Sequence, residues 1–310
     1  MTEHNSLLPY NSYNNYMKKK MGCKVYKVSI DGGFSCPNRD RTKGEGGCIF
    51  CDERGSSSRT NNLSSSITEQ IINNIKVRKA RYKAKKFIAY FQSFSNTYAP
   101  ISKLKEKYDE AIQADKDIIG LNISTRPDCI DENKIKLIAS YKEKVPYVCI
   151  EYGMQTSHDK TLKLINRKEN HTDFLKALEL TQKYGLHHCA HIILGLPGES
   201  IEEQIQTANV ISSLGVEGIK IHLLVAIANT PLATMYKDGL WAPLSYEEYI
   251  NLACTFLENI HKECIIHRLS SSGHPMHLVA PIWMKNKNIN ISFDIVKEFK
   301  KRNTYQGYFC

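Results

Sequence analysis

The sequence predicts an α/β fold: a parallel sheet curled into a partial (β/α)6 barrel of the TIM type, with a short N-terminal arm and a C-terminal extension. Two observations carry this. Six short segments rich in apolar and β-branched residues alternate with segments of helical spacing, which implies parallel strands with helices outside the sheet. A polar or Gly/Pro-rich segment follows each of the six strands, and chemistry in such barrels sits on the loops after the strands' C-terminal ends. A doubly wound open sheet satisfies the first observation; the second favours the barrel.

The elements read in order. In the arm, residues 1–22, Tyr10, Tyr13 and Tyr16 stand beside Lys18, Lys19 and Lys20. That interleaving suits RNA contact, and it equally suits an amphipathic segment packed on the barrel. The barrel occupies 23–262. KVYKVSI (24–30) opens it, a cysteine-bearing loop follows, and Ser66 with Glu69 forms a capping box that starts a helix. KFIAYF (86–91) is the second strand; QSFSNT (92–97) follows it, and then Ile101, Leu104, Tyr108 and Ile112 recur at helical spacing. IIGLNIS (118–124) leads into STRPD (124–128), and YVCIEY (147–152) into EYGMQT (151–156). CAHIILG (189–195) runs into GLPGE (195–199), after which Ser200 and Glu203 cap the next helix. GIKIHLL (218–224) is the sixth strand, ANTP (228–231) its loop, and Ser245 with Glu248 starts another helix. Residues 263–310 form the extension packed on the barrel.

At 310 residues the chain is long enough for one large α/β domain or two modest ones. No run of 18 apolar residues is present, nor an N-terminal apolar stretch with a cleavage site. Membrane spanning and secretion are therefore not expected, and a cytoplasmic location is. Ten cysteines in that compartment mean metal ligands or reduced thiols rather than disulfides. The net charge of +10, from 42 basic and 32 acidic residues, fits a polyanionic partner such as RNA. A chain rich in Lys, Asn and Ile throughout can owe part of that charge to composition alone.

The most informative segment is CPNRDRTKGEGGCIFC (36–51), which sets Cys36, Cys48 and Cys51 at the spacing C-x11-C-x2-C. Gly44, Gly46 and Gly47 precede the closing pair, and glycine's access to positive φ lets such a loop wrap tightly. Three thiolates are too few for a closed zinc site. They suit a [4Fe–4S] cluster held through three irons, with the fourth open to a cofactor or substrate. A four-cysteine zinc site that recruits Cys23 is the alternative. The remaining cysteines form no second CxxC and read as buried small residues.

Together with ISTRPD, IEYGMQT, INRKENH, HIILGLPGES and IKIHLL, this loop resembles the radical S-adenosylmethionine (SAM) superfamily. The match is to the branch related to the Elongator catalytic subunit and the coproporphyrinogen dehydrogenase-like enzymes. Within it, the chain is most similar to the small YhcC/YtqA-type group with the longer cysteine spacing. The resemblance runs from about residue 20 to the end, including HRLS (267–270), APIW (280–283) and YQG (305–307).

The resemblance implies two cofactors, a [4Fe–4S] cluster on Cys36, Cys48 and Cys51, and SAM on the open iron. Reductive cleavage of SAM would give a 5′-deoxyadenosyl radical, and the protein's task would be to bind, orient and exclude water. Phe50 would lie beside the adenine. Gln92 and Ser93 occupy the position of a Gly-Gly-Glu segment common in the family, so Ser93 or Ser95 would replace that contact. Ser124 and Arg126 would reach the methionyl carboxylate or ribose, although Arg126 also suits a structural ion pair. Glu151 and Gln155 would meet the ribose and amino group, the SAM ammonium serving as the buried carboxylate's partner. Arg167 would pair with the SAM carboxylate, and Ile193 to Leu196, with Gly195 between them, would run along the adenine. On the substrate side stand Lys220 and His222, which alternation puts on one face of the sixth strand; His188 and His191 are further candidates. Where the family more often has a His and a Lys-Gly, this chain has Val225, Ala228 and Asn229.

The function implied first is a radical SAM enzyme acting on tRNA, converting carboxymethylaminomethyl-uridine at the wobble position to aminomethyl-uridine. Its partners would be tRNA and an electron donor such as flavodoxin or ferredoxin, with no membrane. A radical SAM enzyme on a small metabolite or a protein side chain is the second reading, and a non-catalytic zinc- or cluster-binding RNA module the third.

Overall fold

The computed structural model describes residues 8–53, 55, 65–271 and 277–310. Strands β1 (Val25–Ile30), β2 (Lys86–Phe91), β3 (Ile118–Thr125), β4 (Tyr147–Gln155), β5 (His187–Leu194) and β6 (Gly218–Leu223) lie side by side in chain order. All are parallel. This is the expected curled barrel sheet. A two-stranded antiparallel ribbon follows, from β7 (Ala226–Ile227) and β9 (Leu278–Ala280). Between them in sequence, β8 (Ile265–Arg268) returns to the main sheet and pairs with β6 in parallel as a seventh strand. Sequence reading had assigned that segment to the C-terminal extension; four residues are too few to display alternation.

Ten helices are described: α1 (Tyr13–Met21), α2 (Ile67–Tyr82), α3 (Ile101–Gln113), α4 (Glu132–Ser140), α5 (Asp159–Leu164), α6 (His171–Lys183), α7 (Ile201–Ser213), α8 (Pro231–Lys237), α9 (Tyr246–Glu258) and α10 (Ile291–Arg302). The capping boxes of Ser66, Ser200 and Ser245 are formed with both reciprocal hydrogen bonds. Asn170 and Asp173 make a fourth box, which the usual Ser/Thr-x-x-Glu pattern does not reveal. The helices cover the outside of the sheet, so all nine residues of β4 are buried, as both faces of a central parallel strand must be. Among the described residues, no helix is long and apolar enough to cross a membrane.

Helix α1 stops the end of the barrel where the strands begin. Met17 is buried there with Val25, Ile88, Tyr147, Cys149 and Cys189, and Tyr13 and Tyr16 pack against the same group. The Tyr13 ring lies 4.2 Å from that of His267 and 6.5 Å, edge-on, from that of Tyr147. Of the two readings of the arm, packing on the barrel accounts for Tyr13 and Tyr16, whereas Lys18 and Lys19 are exposed.

Above this plug, each of the seven strands sends one side chain to a charged centre inside the barrel. Glu151 on β4 is fully buried. Its Oε1 accepts from Lys27 on β1 at 2.6 Å and from Asn122 on β3 at 2.7 Å. Its Oε2 accepts from Lys220 on β6 and stands 2.9 Å from His191 Nε2 on β5. Lys220 also donates to the Tyr90 hydroxyl on β2 at 2.9 Å. His267 on β8 closes the ring, its Nδ1 3.2 Å from Lys27 Nζ. Because Lys27 and His267 sit on the two edge strands, this contact shows how far the sheet is curled. Burial opposes charge on Glu151, yet Lys220 and Lys27 hold the carboxyl well below its ordinary range. Burial dominates for Lys220, whose ammonium is pulled down to about 8, and for His191, drawn down to about 4 and hence neutral near pH 7.

Removing the central charge should be costly, because two buried ammonium groups would lose their carboxylate. Glu151→Gln is expected to destabilise the protein by about 3–5 kcal/mol, measured as a shift of the urea midpoint at unchanged slope. A loss below about 1 kcal/mol would show that the seven-strand centre contributes little beyond packing.

Candidate active site

The cysteine loop leaves β1 at the barrel mouth and folds back on itself through backbone bonds from Lys43 N to Pro37 O (2.8 Å) and Gly47 N to Asn38 O (2.9 Å). Gly44 has no room for a side chain: a Cβ there would stand 2.2 Å from Asn38 Oδ1. Gly46 and Gly47 take φ of 77° and 82°, the left-handed conformations their position in the sequence suggested. The loop is fastened to the turn after α5. Asn38 Nδ2 donates to Asn166 O at 2.6 Å, Asn166 Nδ2 donates to Gly47 O at 2.8 Å, and Ile49 N donates to Ile165 O at 3.1 Å.

Cys36, Cys48 and Cys51 all line one cavity of about 710 Å³ at this mouth. Positive and polar hydrogens converge on the sulfurs of Cys48 and Cys51. Arg167 and Asn38 each approach Cys48 Sγ at 3.6 Å, and Arg39 approaches Cys51 Sγ at 3.5 Å. Burial raises the Cys36 thiol and pushes that of Cys51 up to about 11, so a bound metal must displace their protons. Among the described residues, no three His, Cys, Asp or Glu side chains converge closely enough to ligate one ion. A cubane does not ask for that, since each thiolate takes a different iron. Cys23 precedes β1 while the loop follows it, and six strand residues separate the two by roughly 20 Å. It cannot join the other three, which removes the four-cysteine zinc site. The residues present therefore fit a three-thiolate cluster.

Beside the loop, two guanidiniums are locked by two acids. Arg126 makes a bidentate pair with Asp128 (both 2.8 Å), meets Glu169 at 3.1 Å, and donates to Arg167 O at 2.9 Å. Arg167 pairs with Glu169 at 2.5 Å and donates to Gly153 O at 2.7 Å. A Cβ on Gly153 would come within 2.8 Å of Arg167 and 2.7 Å of Gln155, so this strand position leaves space for the clamp. Lys43 adds a third cation, 2.7 Å from Asp128. Burial favours the neutral Asp128 carboxyl, but Arg126 holds it well below the usual range. Arg126 thus forms the structural ion pair that was one of its two readings, and both arginines still line the cavity.

The other expected SAM contacts divide. Phe50, Ser124, Gln155 and Ile193 line the cavity. Phe50 also packs on the apolar group around Ile49 and Leu162, so it both faces the cavity and takes part in packing. Gln155 adopts φ of 69°, a conformation costly for a side-chain-bearing residue and one that accumulates at functional sites. Ser93 is buried with its hydroxyl unbonded and is not among the lining residues, whereas its neighbours Gln92 and Phe94 are. Ser95, the other candidate to replace the Gly-Gly-Glu contact, is occupied with Thr125 and the Arg126 amide. Gly195 turns away: its amide donates to Gln204, and its carbonyl accepts from Trp241. Leu196 is buried among Ile49, Ile165 and Leu232. Glu151 lies below the cavity floor, with Lys27, Lys220 and His191 as its partners where a SAM ammonium was expected.

On the substrate side, Lys220 and His222 both line the cavity, and so does His191, whose ring centroid is 5.2 Å from that of His222. Burial keeps His222 neutral, and its Nε2 has no hydrogen-bond partner. His188 instead sits at the start of β5, bonded to the Glu217 amide. Sequence reasoning missed Asn38, Arg39, Asp128 and Glu169 as the scaffold of the loop and clamp. The signal was available only in part: Asp128 and Glu169 each stand two residues after an arginine already singled out.

Comparison with known proteins agrees with this arrangement. The Radical SAM superfamily model matches residues 36–211 and the Radical_SAM C-terminal domain model residues 216–300. YtqA of Bacillus subtilis is 38% identical over 301 residues, 97% of this chain and 92% of that protein. A tRNA uridine(34) acetyltransferase of Methanocaldococcus infernus is 31% identical over 137 residues, 43% of this chain and 25% of that one. Among solved structures, the Elp3 protein of Methanocaldococcus infernus superimposes with a TM-score of 0.69 at 19% identity, covering 91% of this chain and 64% of that one, a likeness of fold. The chain therefore belongs to the radical SAM superfamily, whose members work with a [4Fe–4S] cluster and SAM.

Proposed function

We propose that this radical SAM enzyme modifies tRNA, converting carboxymethylaminomethyl-uridine at the wobble position to aminomethyl-uridine. Loss of a hydrogen atom to the 5′-deoxyadenosyl radical and of one electron back to the cluster would give an imine, whose hydrolysis would break the C–N bond and release the two carbons as glyoxylate. The observation that carries the reading is the open cavity at the barrel mouth. It brings the three thiols of the cysteine loop together with a basic, histidine-bearing wall, inside a chain of net charge +10. The similarity to a tRNA uridine(34) acetyltransferase over part of the chain, and the fold shared with Elp3, support the substrate class.

In this reading Cys36, Cys48 and Cys51 hold the cluster, and Arg39, Asn38 and Arg167 direct N–H groups at the sulfurs of Cys48 and Cys51, which opposes the effect of burial and favours the thiolate there. When bound, the cluster and SAM supply a reducing electron and a 5′-deoxyadenosyl radical. Gln155, Ser124 and Phe50 orient SAM, with Ile193 as the apolar floor beneath it. The Arg126–Asp128–Glu169–Arg167 clamp keeps the wall rigid and fixes the loop carrying Arg167 against Gly153. Lys220, His191 and His222 present the substrate side. The electron that radical SAM enzymes need would come from a soluble carrier such as flavodoxin or ferredoxin in the cytoplasm.

Two outcomes are expected. Cys36→Ala, Cys48→Ala and Cys51→Ala should each lose cluster iron and SAM cleavage after anaerobic reconstitution, while Cys23→Ala retains both. Full iron content in any of the first three, or loss in the last, would refute the ligand assignment. In a strain lacking the gene, mass spectrometry of tRNA nucleosides should find carboxymethylaminomethyl-uridine accumulating at the expense of aminomethyl-type uridines. Unchanged wobble nucleosides would leave a metabolite or protein side chain as the substrate.

A further inference from the structure

The β6–β8 side of the cavity carries positive charge that the chain itself does not neutralise. Arg268 ends β8, paired in register with Lys220 on β6, and its side chain lines the cavity while remaining exposed. Among the described residues, no hydrogen bond or ion pair reaches its guanidinium, in contrast with Arg126 and Arg167, whose acids are built in. Lys220 offers no relief, because it shares the single carboxylate of Glu151 with Lys27, two cations on one anion. The one carboxylate lining the cavity among the described residues, Asp52, belongs to the cysteine loop. Next to Arg268 on the same side, His222 holds a buried Nε2 with no partner, and Leu223, Leu224 and Val225 supply an apolar surround.

A cation with no acid built in beside it, next to an apolar segment and with neighbours already in positive excess, is complementary to an anion that arrives with the ligand. A guanidinium's planar fork matches a carboxylate bidentately. We infer that Arg268 receives a carboxylate of the substrate and that His222 Nε2 bonds a polar atom beside it. This rests on the function proposed above and states which part of the uridine side chain is read: its terminal acid. Arg268 is then a substrate-positioning residue, and the strand that carries it gains a role beyond closing the sheet.

The test compares two anticodon stem-loops that differ only at the wobble uridine. One carries the carboxymethylaminomethyl acid, and the other its primary amide. SAM-loaded, reconstituted wild type should bind the acid about 10–100-fold more tightly, the range of a charge-assisted hydrogen-bonded pair. Arg268→Gln should bind both loops as wild type binds the amide, and Arg268→Lys should keep part of the preference. Melting curves establish that Arg268→Gln is folded, and Arg268→Lys serves where it is not. A wild type without preference, or an Arg268→Gln that keeps it, overturns the inference. So does an equal loss of affinity for both loops, which would assign Arg268 to a backbone phosphate. If wild type binds neither loop better than an unrelated hairpin, the tRNA reading fails, and a second arm decides this inference alone. N-methylglycine, its methylamide and inorganic phosphate are titrated into the SAM-loaded enzyme, with the reduced cluster's paramagnetic spectrum as readout. A response to N-methylglycine only, lost in Arg268→Gln, supports a carboxylate receptor; any other pattern overturns it.

Discussion

The architecture depends on one buried carboxylate. Glu151 draws Lys27, Asn122, His191 and Lys220 to two oxygen atoms, and through them Tyr90 and His267. A sheet of seven parallel strands has no intrinsic reason to stop at this curvature, since its edges β1 and β8 do not pair with each other. What joins them is the contact of Lys27 with His267, backed by the packing of α1 on Val25 and His267. Such a centre is not a strong source of net stability, because desolvation of three ionised groups offsets their attraction. Its contribution is to register: a strand displaced by one residue would withdraw its member and leave a buried charge unmatched.

This centre also separates two halves of the barrel. Below it, Met17, Tyr13 and Tyr147 seal the end where the strands begin. Above it, the cavity opens among the loops, and the cysteine loop and Arg167 are held in place there by hydrogen bonds and ion pairs. The cysteine loop hangs on Asn38, Asn166 and Ile165; Arg167 hangs on Glu169 and the Gly153 carbonyl. A loop so rich in glycine would otherwise be among the least ordered parts of the chain, and its thiols cannot be held more tightly than its supports are.

The sequence made the cysteines, the strand order and three capping boxes legible because each is a local pattern: a spacing, an alternation, a Ser-x-x-Glu. The mouth residues Ser124, Gln155 and Arg167 were legible for the same reason, lying just after strands or in an unusual turn. What was hidden is long-range. Glu151 was recognised as a buried carboxylate needing a partner, yet nothing local says that Lys220, 69 positions away, is one. Strand β8 was hidden by brevity, and with it the places of His267 and Arg268, quoted from the sequence only within HRLS: the first is a member of the centre and the second a cavity cation. Tyr13 and Tyr16 had two uses open to them, and the packing of α1 against β4 and β8 decides for the apolar one.

The central claim is that three thiolates on the β1 loop leave one iron of a cluster open to SAM. Electron paramagnetic resonance of the anaerobically reconstituted, dithionite-reduced protein tests it most directly. A reduced [4Fe–4S] signal whose g-values shift on addition of SAM is expected, with Cys36, Cys48 and Cys51 holding the cluster. A signal indifferent to saturating SAM, or a colourless protein holding zinc, would contradict it.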